Sequence, residues 1–249
     1  MKILLTNDDG ISSPNIKLLA KRLSENGHHV FVFAPHTQKS ACSQSLTVHQ
    51  AFGYTETKDY FGAECAVAVE GTPSDCIKIA VHIFEIFPDL VVSGPNEGSN
   101  LGTDILYSGT VAGAMQGLIC GFPSLALSQC GRNVDPEYCV EFFCRNIEKI
   151  FSLSVKGSML NINIPHCDPK EIKGVRFTKM GISEYNDAYM EIEENGRKIY
   201  RLTGELLRHE DDAEECDVKL SQRGYITITP LMLDRTDYHK LDELNKTEW

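Results

Sequence analysis

Apolar residues along the first two-thirds of the chain come in two spacings that take turns. Ile3-Leu4-Leu5 is a short unbroken apolar run, as expected of a strand buried on both faces. Ser13-Pro14 then supplies a helix cap and a first helical residue. Ile16, Leu19, Ala20 and Leu23 repeat at helical spacing until Gly27 stops the helix. His29 to Ala34 reads as a second strand, and Thr72-Pro73 opens a second helix with Asp75 as the acidic partner of a capping box. Asp89 to Ser93 predicts a third buried strand, Ser108 to Cys120 a third helix rich in small residues, and Ser124 to Ser128 a fourth strand. Asp135-Pro136 caps a helix whose Val140, Phe143, Cys144, Ile147 and Phe151 share one face, and Met159 to Ile164 is a fifth strand.

Strands separated by helices make βαβ units. Residues 1–165 are therefore expected to form a doubly wound, mostly parallel, Rossmann-like α/β core with its ligand beyond the carboxyl ends of the strands. The pattern changes after Pro165. Asn195-Gly196 between Tyr189–Glu193 and Arg197–Leu202 is the strongest hairpin signal in the chain. Glu210 to Glu215 is an acidic stretch expected to be a loop, Tyr225 to Leu231 is β-rich, and the tail from Asp237 is a weak amphipathic helix. Residues 166–249 are thus expected to be a β-rich extension that embraces a partner subunit.

Charge narrows the partners. Over 249 residues, 24 Lys and Arg face 35 Asp and Glu, a net charge of −11. That balance argues against nucleic-acid polymers and anionic membranes, whose affinity comes from basic patches. A small anionic substrate is still compatible where a metal or backbone amides neutralise it. The longest apolar run, Ile77 to Phe87, is broken by Lys78, His82 and Glu85, so no membrane span is expected. Met1 to Thr6 meets Asn7-Asp8-Asp9 too early for a signal peptide, which points to the cytoplasm. Nine cysteines without a Cys-x-x-Cys pair are expected to be reduced thiols. Cys42, in a polar loop, is the candidate for a reactive one.

The polar residues gather at strand ends. Asn7-Asp8-Asp9-Gly10 follows the first strand, a loop with Gln38, Lys39, Ser40 and Ser43 follows the second, and Gly94 to Asp104 follows the third. Two adjacent carboxylates repel unless a cation lies beside them. Asp8 and Asp9 with neutral oxygens such as Ser40 and Asn96 form a hard-oxygen set suited to Mg²⁺, Mn²⁺ or Ca²⁺ and not to zinc. A Ser108 cap would leave the amides of Gly109 and Thr110 at the positive end of the third helix, a phosphate cradle. Nucleotide-binding glycine fingerprints and the hydrolase elbow are missing. An aspartyl-phosphate phosphatase would carry Asp-x-Asp, and a phospho-receiver would carry an Asp where this chain has Ser93-Gly94-Pro95-Asn96.

Six linked stretches carry a resemblance: Thr6–Gly10, Ala34–Ser40, Gly71–Cys76, Pro88–Gly102, Tyr107–Val111 and Gly224–Leu231. In this order and register they resemble the SurE (survival protein E) family of nucleotidases over nearly the whole chain. The resemblance implies a divalent-metal-dependent phosphomonoesterase acting on nucleoside 5′- and 3′-monophosphates, and in some members on short polyphosphate. It implies metal ligands at Asp8, Asp9, Ser40 and Asn96, with Asp8, Asp9 and Asn96 carrying catalysis. It implies phosphate contacts at Ser108, Gly109 and Thr110, and a homodimer or homotetramer built through an exchanged C-terminal extension. Water attack with Asp8 or Asp9 as proton acceptor, and direct attack by Asp8, both fit. Two positions depart from the family pattern: Ala41 stands where glycine is usual, and Pro95 where isoleucine or valine is usual. Tyr107, Tyr185 and Tyr189 are candidates to stack a nucleobase. The rival reading is a non-catalytic sensor that holds metal and nucleotide.

Overall fold

The structure is a computed structural model that describes all residues except 132–133, 155–156, 187, 206, 208–214 and 248–249. The acidic stretch expected over 210–215 lies almost wholly outside the described residues.

Five strands fall where the apolar runs place them: β1 (Lys2–Thr6), β2 (His29–Pro35), β5 (Leu90–Glu97), β6 (Ser124–Gln129) and β7 (Ser158–Ile164). The helices α1 (Pro14–Glu25), α2 (Pro73–His82), α3 (Gly109–Ile119) and α4 (Glu137–Leu153) alternate with them. Ser13 accepts from the Asn15 amide to cap α1, and Thr72 and Asp75 form the full capping box of α2. At α4 the cap residue is Pro136, and Asp135 Oδ1 accepts from the Glu137 amide at 3.0 Å.

Two strands extend the sheet beyond the pattern. β4 (Cys65–Val69) is a run of small residues between two glutamates, a faint apolar signal, and β3 (Tyr54–Glu56) is exposed at all three positions. Beyond Pro165 come β8 (Val175–Phe177), β9 (Tyr189–Glu194), β10 (Arg197–Leu202), α5 (Asp217–Gln222), β11 (Ile226–Met232) and α6 (Tyr238–Leu244).

The main sheet has nine strands in the order β3-β4-β2-β1-β5-β6-β7-β11-β8. All neighbours are parallel except β3 with β4 and β7 with β11. Two strands from beyond Pro165 therefore complete the main sheet, so that position divides the sequence pattern and not the sheet itself. β9 and β10 form a separate antiparallel hairpin with Asn195 and Gly196 both at positive φ, 52° and 72°. Strand alternation splits the core. Ile3, Leu5, Val30 and Val32 pack with α1 and α4, whereas Leu4, Phe33 and Val67 pack with α2 on the other face. No helix among the described residues is long and apolar enough to cross a membrane.

Candidate active site

Strand order decides where the polar loops meet. From β1 the chain winds to β2 on one side, while β5, β6 and β7 lie on the other, so the order reverses between β1 and β5. Thr6 pairs in register with Ser93 across that boundary. Asn7-Asp8-Asp9 and Gly94-Pro95-Asn96 thus leave neighbouring strands side by side, at the switch point where open sheets take their ligands. Asn7 closes the first turn twice: its Oδ1 accepts from the Gly10 amide at 3.1 Å, and its Nδ2 donates to the Gly10 carbonyl at 3.0 Å. Gly10 has φ 95°, and a Cβ there would stand 3.2 Å from the Pro35 carbonyl oxygen.

The loop after β2 closes over this turn. The Lys39 amide donates to the Asp8 carbonyl at 2.7 Å. Gln38 Nε2 reaches Ser40 Oγ at 2.9 Å and Asp9 Oδ1 at 3.3 Å, so one amide group ties two of the expected ligands together. The Glu97 amide donates to Asp9 Oδ2 at 3.4 Å, joining the β5 end to the same carboxylate. Asn96 Nδ2 donates to the Gly98 carbonyl at 3.0 Å, which leaves Oδ1 as the available oxygen.

The third helix enters from the side. Ser108 Oγ accepts from the Val111 amide at 3.0 Å and is spent as the cap. Thr110 is engaged as well: its hydroxyl donates to Asp8 Oδ1 at 2.5 Å, and its amide also bonds to that carboxylate. The Thr110 hydroxyl and amide are thus both turned to Asp8, which docks the helix end on that carboxylate. Glycine permits the docking. A Cβ on Gly109 would lie 2.8 Å from Asp8 Cβ and 2.9 Å from Cys42 Sγ. One on Gly113 would lie 2.7 Å from Ser93 Oγ, so the small-residue face of α3 lies directly on the strands that carry the site.

Burial leaves the two carboxylates short of compensating charge. Asp8 is 5% exposed, and its carboxyl is pushed up to about 6 by burial, against the Thr110 hydrogen bond and with the charge of Asp9 adding. Asp9 is also raised by burial, with the Glu97 amide opposing. No ion pair neutralises either group among the described residues. No three His, Cys, Asp or Glu side chains converge among the described residues either. Two carboxylates, a hydroxyl and an amide oxygen are a donor set that fits a hard divalent cation.

All nine cysteines are free thiols. The Cys42 thiol is pushed up by burial and then by Asp8, which keeps it protonated and away from the reactive thiolate form. The tyrosines scatter. Tyr107 is exposed, Tyr189 lies on the hairpin, and Tyr185 donates to Asp104 Oδ2 at 2.5 Å. Tyr185 and Asp104 line a cleft of about 810 Å³ together with Leu101 and Ser183. Gln38 as a bridge and Thr110 as a partner of Asp8 were not assigned those contacts from sequence. Their sequence signal is membership of the motif stretches 34–40 and 107–111, which names the residues and not their partners.

The chain is thus an open α/β protein whose polar crevice lies at the topological switch point, built from paired carboxylates against a helix end. Comparison with known proteins narrows that class. The family model described as Survival protein SurE matches residues 3–187. A protein of Moorella thermoacetica named 5′-nucleotidase SurE is 43% identical, covering 98% of this chain and 95% of its own. A protein of the same name from Synechococcus elongatus is 38% identical, covering 98% of both chains. The crystal structure of the SurE protein from Aquifex aeolicus aligns with TM-score 0.83 at 34% identity, again covering 98% of both chains. This chain belongs to the SurE family.

Proposed function

We propose that the chain is a divalent-metal-dependent 5′-nucleotidase. It hydrolyses nucleoside 5′-monophosphates to nucleoside and phosphate, with 3′-monophosphates and short polyphosphate as secondary substrates. It acts in the cytoplasm as a homodimer or homotetramer, with the main sheet, β8 and β11 included, as the catalytic part and the β9–β10 hairpin as the oligomerisation arm. Family membership and the names of relatives about 40% identical over nearly the whole chain support a nucleotidase. The observation that supports the metal reading is the approach of the Asp8–Asp9 turn, the Ser40 loop and the Asn96 strand end beside the α3 end, with one buried and one half-buried carboxylate that no ion pair neutralises among the described residues.

Asp8, Asp9, Ser40 Oγ and Asn96 Oδ1 would hold Mg²⁺ or Mn²⁺, which when bound supplies Lewis-acid neutralisation of the charge on the transferring phosphoryl group. The chain does the rest. The α3 end at Ser108, Gly109 and Thr110 presents its positive pole to the phosphate. Thr110 holds Asp8 in one orientation, and Gln38 holds Asp9 against Ser40, so the carboxylates enter the reaction already placed. Asp9, the less buried of the pair, is placed to accept the proton of an attacking water.

The test is phosphate release from a panel of nucleoside monophosphates with Mg²⁺, Mn²⁺ or EDTA. The expected result is metal-dependent release that EDTA abolishes. Metal binding without release from any substrate would move the reading to the sensor.

A further inference from the structure

The loop between Asn96 and Ser108 links the proposed cation site to the helix end, and its middle is held by a strand that belongs to neither. β7 alternates along its length. Leu160, Ile162 and Ile164 face the core beneath α1 and α4, which turns Asn161 and Asn163 to the opposite face. Both asparagines are fully buried. Asn163 grips the backbone of Asn100 on both sides. The Asn100 amide donates to Asn163 Oδ1 at 2.8 Å, and Asn163 Nδ2 donates to the Asn100 carbonyl at 2.9 Å. Asn161 Nδ2 donates to the same carbonyl at 2.8 Å, and the Asn100 side chain donates to Ser128 Oγ on β6 at 2.8 Å. Two side chains thus do for Asn100 what a neighbouring strand does for a ladder residue. The next turn of the loop is held as well, since Asp217 Oδ2 accepts from the Gly102 amide at 2.9 Å.

Asn163 has both side-chain polar atoms paired to the Asn100 backbone, and Asn161 Oδ1 is buried with no partner among the described residues. What the asparagines gain is a fixed loop.

We propose that Asn161 and Asn163 are positioning residues that fix the 97–107 loop, so that the cation ligand Asn96 and the Ser108–Thr110 end are held in register in one crevice. The inference rests on the phosphatase reading above. Neither side chain touches the substrate. Their effect is on alignment, and a misaligned loop costs turnover more than ground-state binding.

The experiment compares Asn163→Leu, Asn163→Asp and Ile162→Ala with the wild-type chain. It records kcat and KM for a nucleoside monophosphate at saturating Mn²⁺, and amide hydrogen exchange over residues 97–107 without substrate. Asn163→Leu should lower kcat roughly ten- to hundredfold, with KM within about threefold, and should speed exchange in the loop. Asn163→Asp keeps the acceptor for the Asn100 amide and should recover part of both. Ile162→Ala opens a cavity on the other face of the same strand, so it should lower thermal stability and leave kcat and loop exchange at wild-type values. Wild-type kcat and loop exchange in Asn163→Leu would overturn the proposal, as would an equal loss of kcat in Ile162→Ala. If Asn163→Leu yields no folded protein, Asn163→Asp decides alone: wild-type kcat and exchange in it overturn the clamp. An inactive wild-type chain would count against the phosphatase reading alone, and the exchange data would still decide the clamp.

Discussion

β7 and the β9–β10 hairpin are both strands rich in alternating residues, yet they live in opposite environments. β7 is buried at six of its seven positions, pairs with β6 and β11, and spends its polar face on the loop beside the crevice. The hairpin is exposed at eleven of its twelve positions and, among the described residues, its two strands pair with each other alone. A hairpin needs nothing but a turn to form, whereas a buried strand needs neighbours on both edges and both faces. The difference separates the two jobs of the chain. The loops leaving β1 and β5 are held by side chains with defined partners, Asn163 of β7 among them. The hairpin presents Tyr189, Tyr200 and Leu202 on one face and Met190 on the other, all exposed among the described residues.

The sharpest way to break the preorganised side is Asp9→Asn. It removes one carboxylate, and the single amide oxygen that remains can accept from Gln38 or from the Glu97 amide but not from both. Phosphate release should fall roughly 10³-fold with the melting temperature little changed. Near-normal rates with Mn²⁺ would remove Asp9 from the site.

Gly109→Ala should come next. The added methyl meets Asp8 Cβ at 2.8 Å, so the α3 end must back away from the carboxylate. Activity should drop at least about tenfold, with a stability loss of about 1–3 kcal/mol from overpacking. Kinetics paired with thermal melts separate the two effects.

The hairpin should respond in the opposite sense. Tyr189→Glu with Leu202→Glu should lower the solution mass toward one chain, read by light scattering, while the core melts near its wild-type temperature. A wild-type chain that is already monomeric at micromolar concentration would contradict the arm reading.

The smallest effect falls on the Ser40 loop. Ala41 has φ 54°, a region that costs a residue with a Cβ about 1 kcal/mol or more. Ala41→Gly should stabilise the chain by about 0.5 kcal/mol once the greater freedom of an unfolded glycine is subtracted, measured by urea titration.

How much of this was legible depended on the kind of signal. Buried strands flanked by caps were readable because Ile3-Leu4-Leu5, Ser13-Pro14 and Thr72-Pro73 state their structure locally. The hairpin was readable from Asn195-Gly196 alone. β4 was not, because Cys65-Ala-Val-Ala-Val69 is a short run whose pairing with β2 and β3 on either side is not written in its own residues. In the crevice, the acidic pair and its strand-end position were local facts, and hard-oxygen chemistry and the family resemblance pointed to the same neutral ligands, Ser40 and Asn96. The contacts that hold them were invisible. Gln38 to Asp9, Thr110 to Asp8 and Asn163 to Asn100 span 29, 102 and 63 residues, and no periodicity encodes such distances. Ala41 is the instructive intermediate. The departure from glycine was plain in the sequence, and its positive φ shows why glycine suits that position.

The central claim is that one crevice at the β1–β5 boundary holds both the cation and the phosphate. Anomalous diffraction from crystals soaked in Mn²⁺ and phosphate tests it directly. The account predicts a manganese peak among Asp8, Asp9, Ser40 and Asn96, with phosphate density between that peak and the α3 end. Manganese bound elsewhere, with this crevice holding neither, would contradict it.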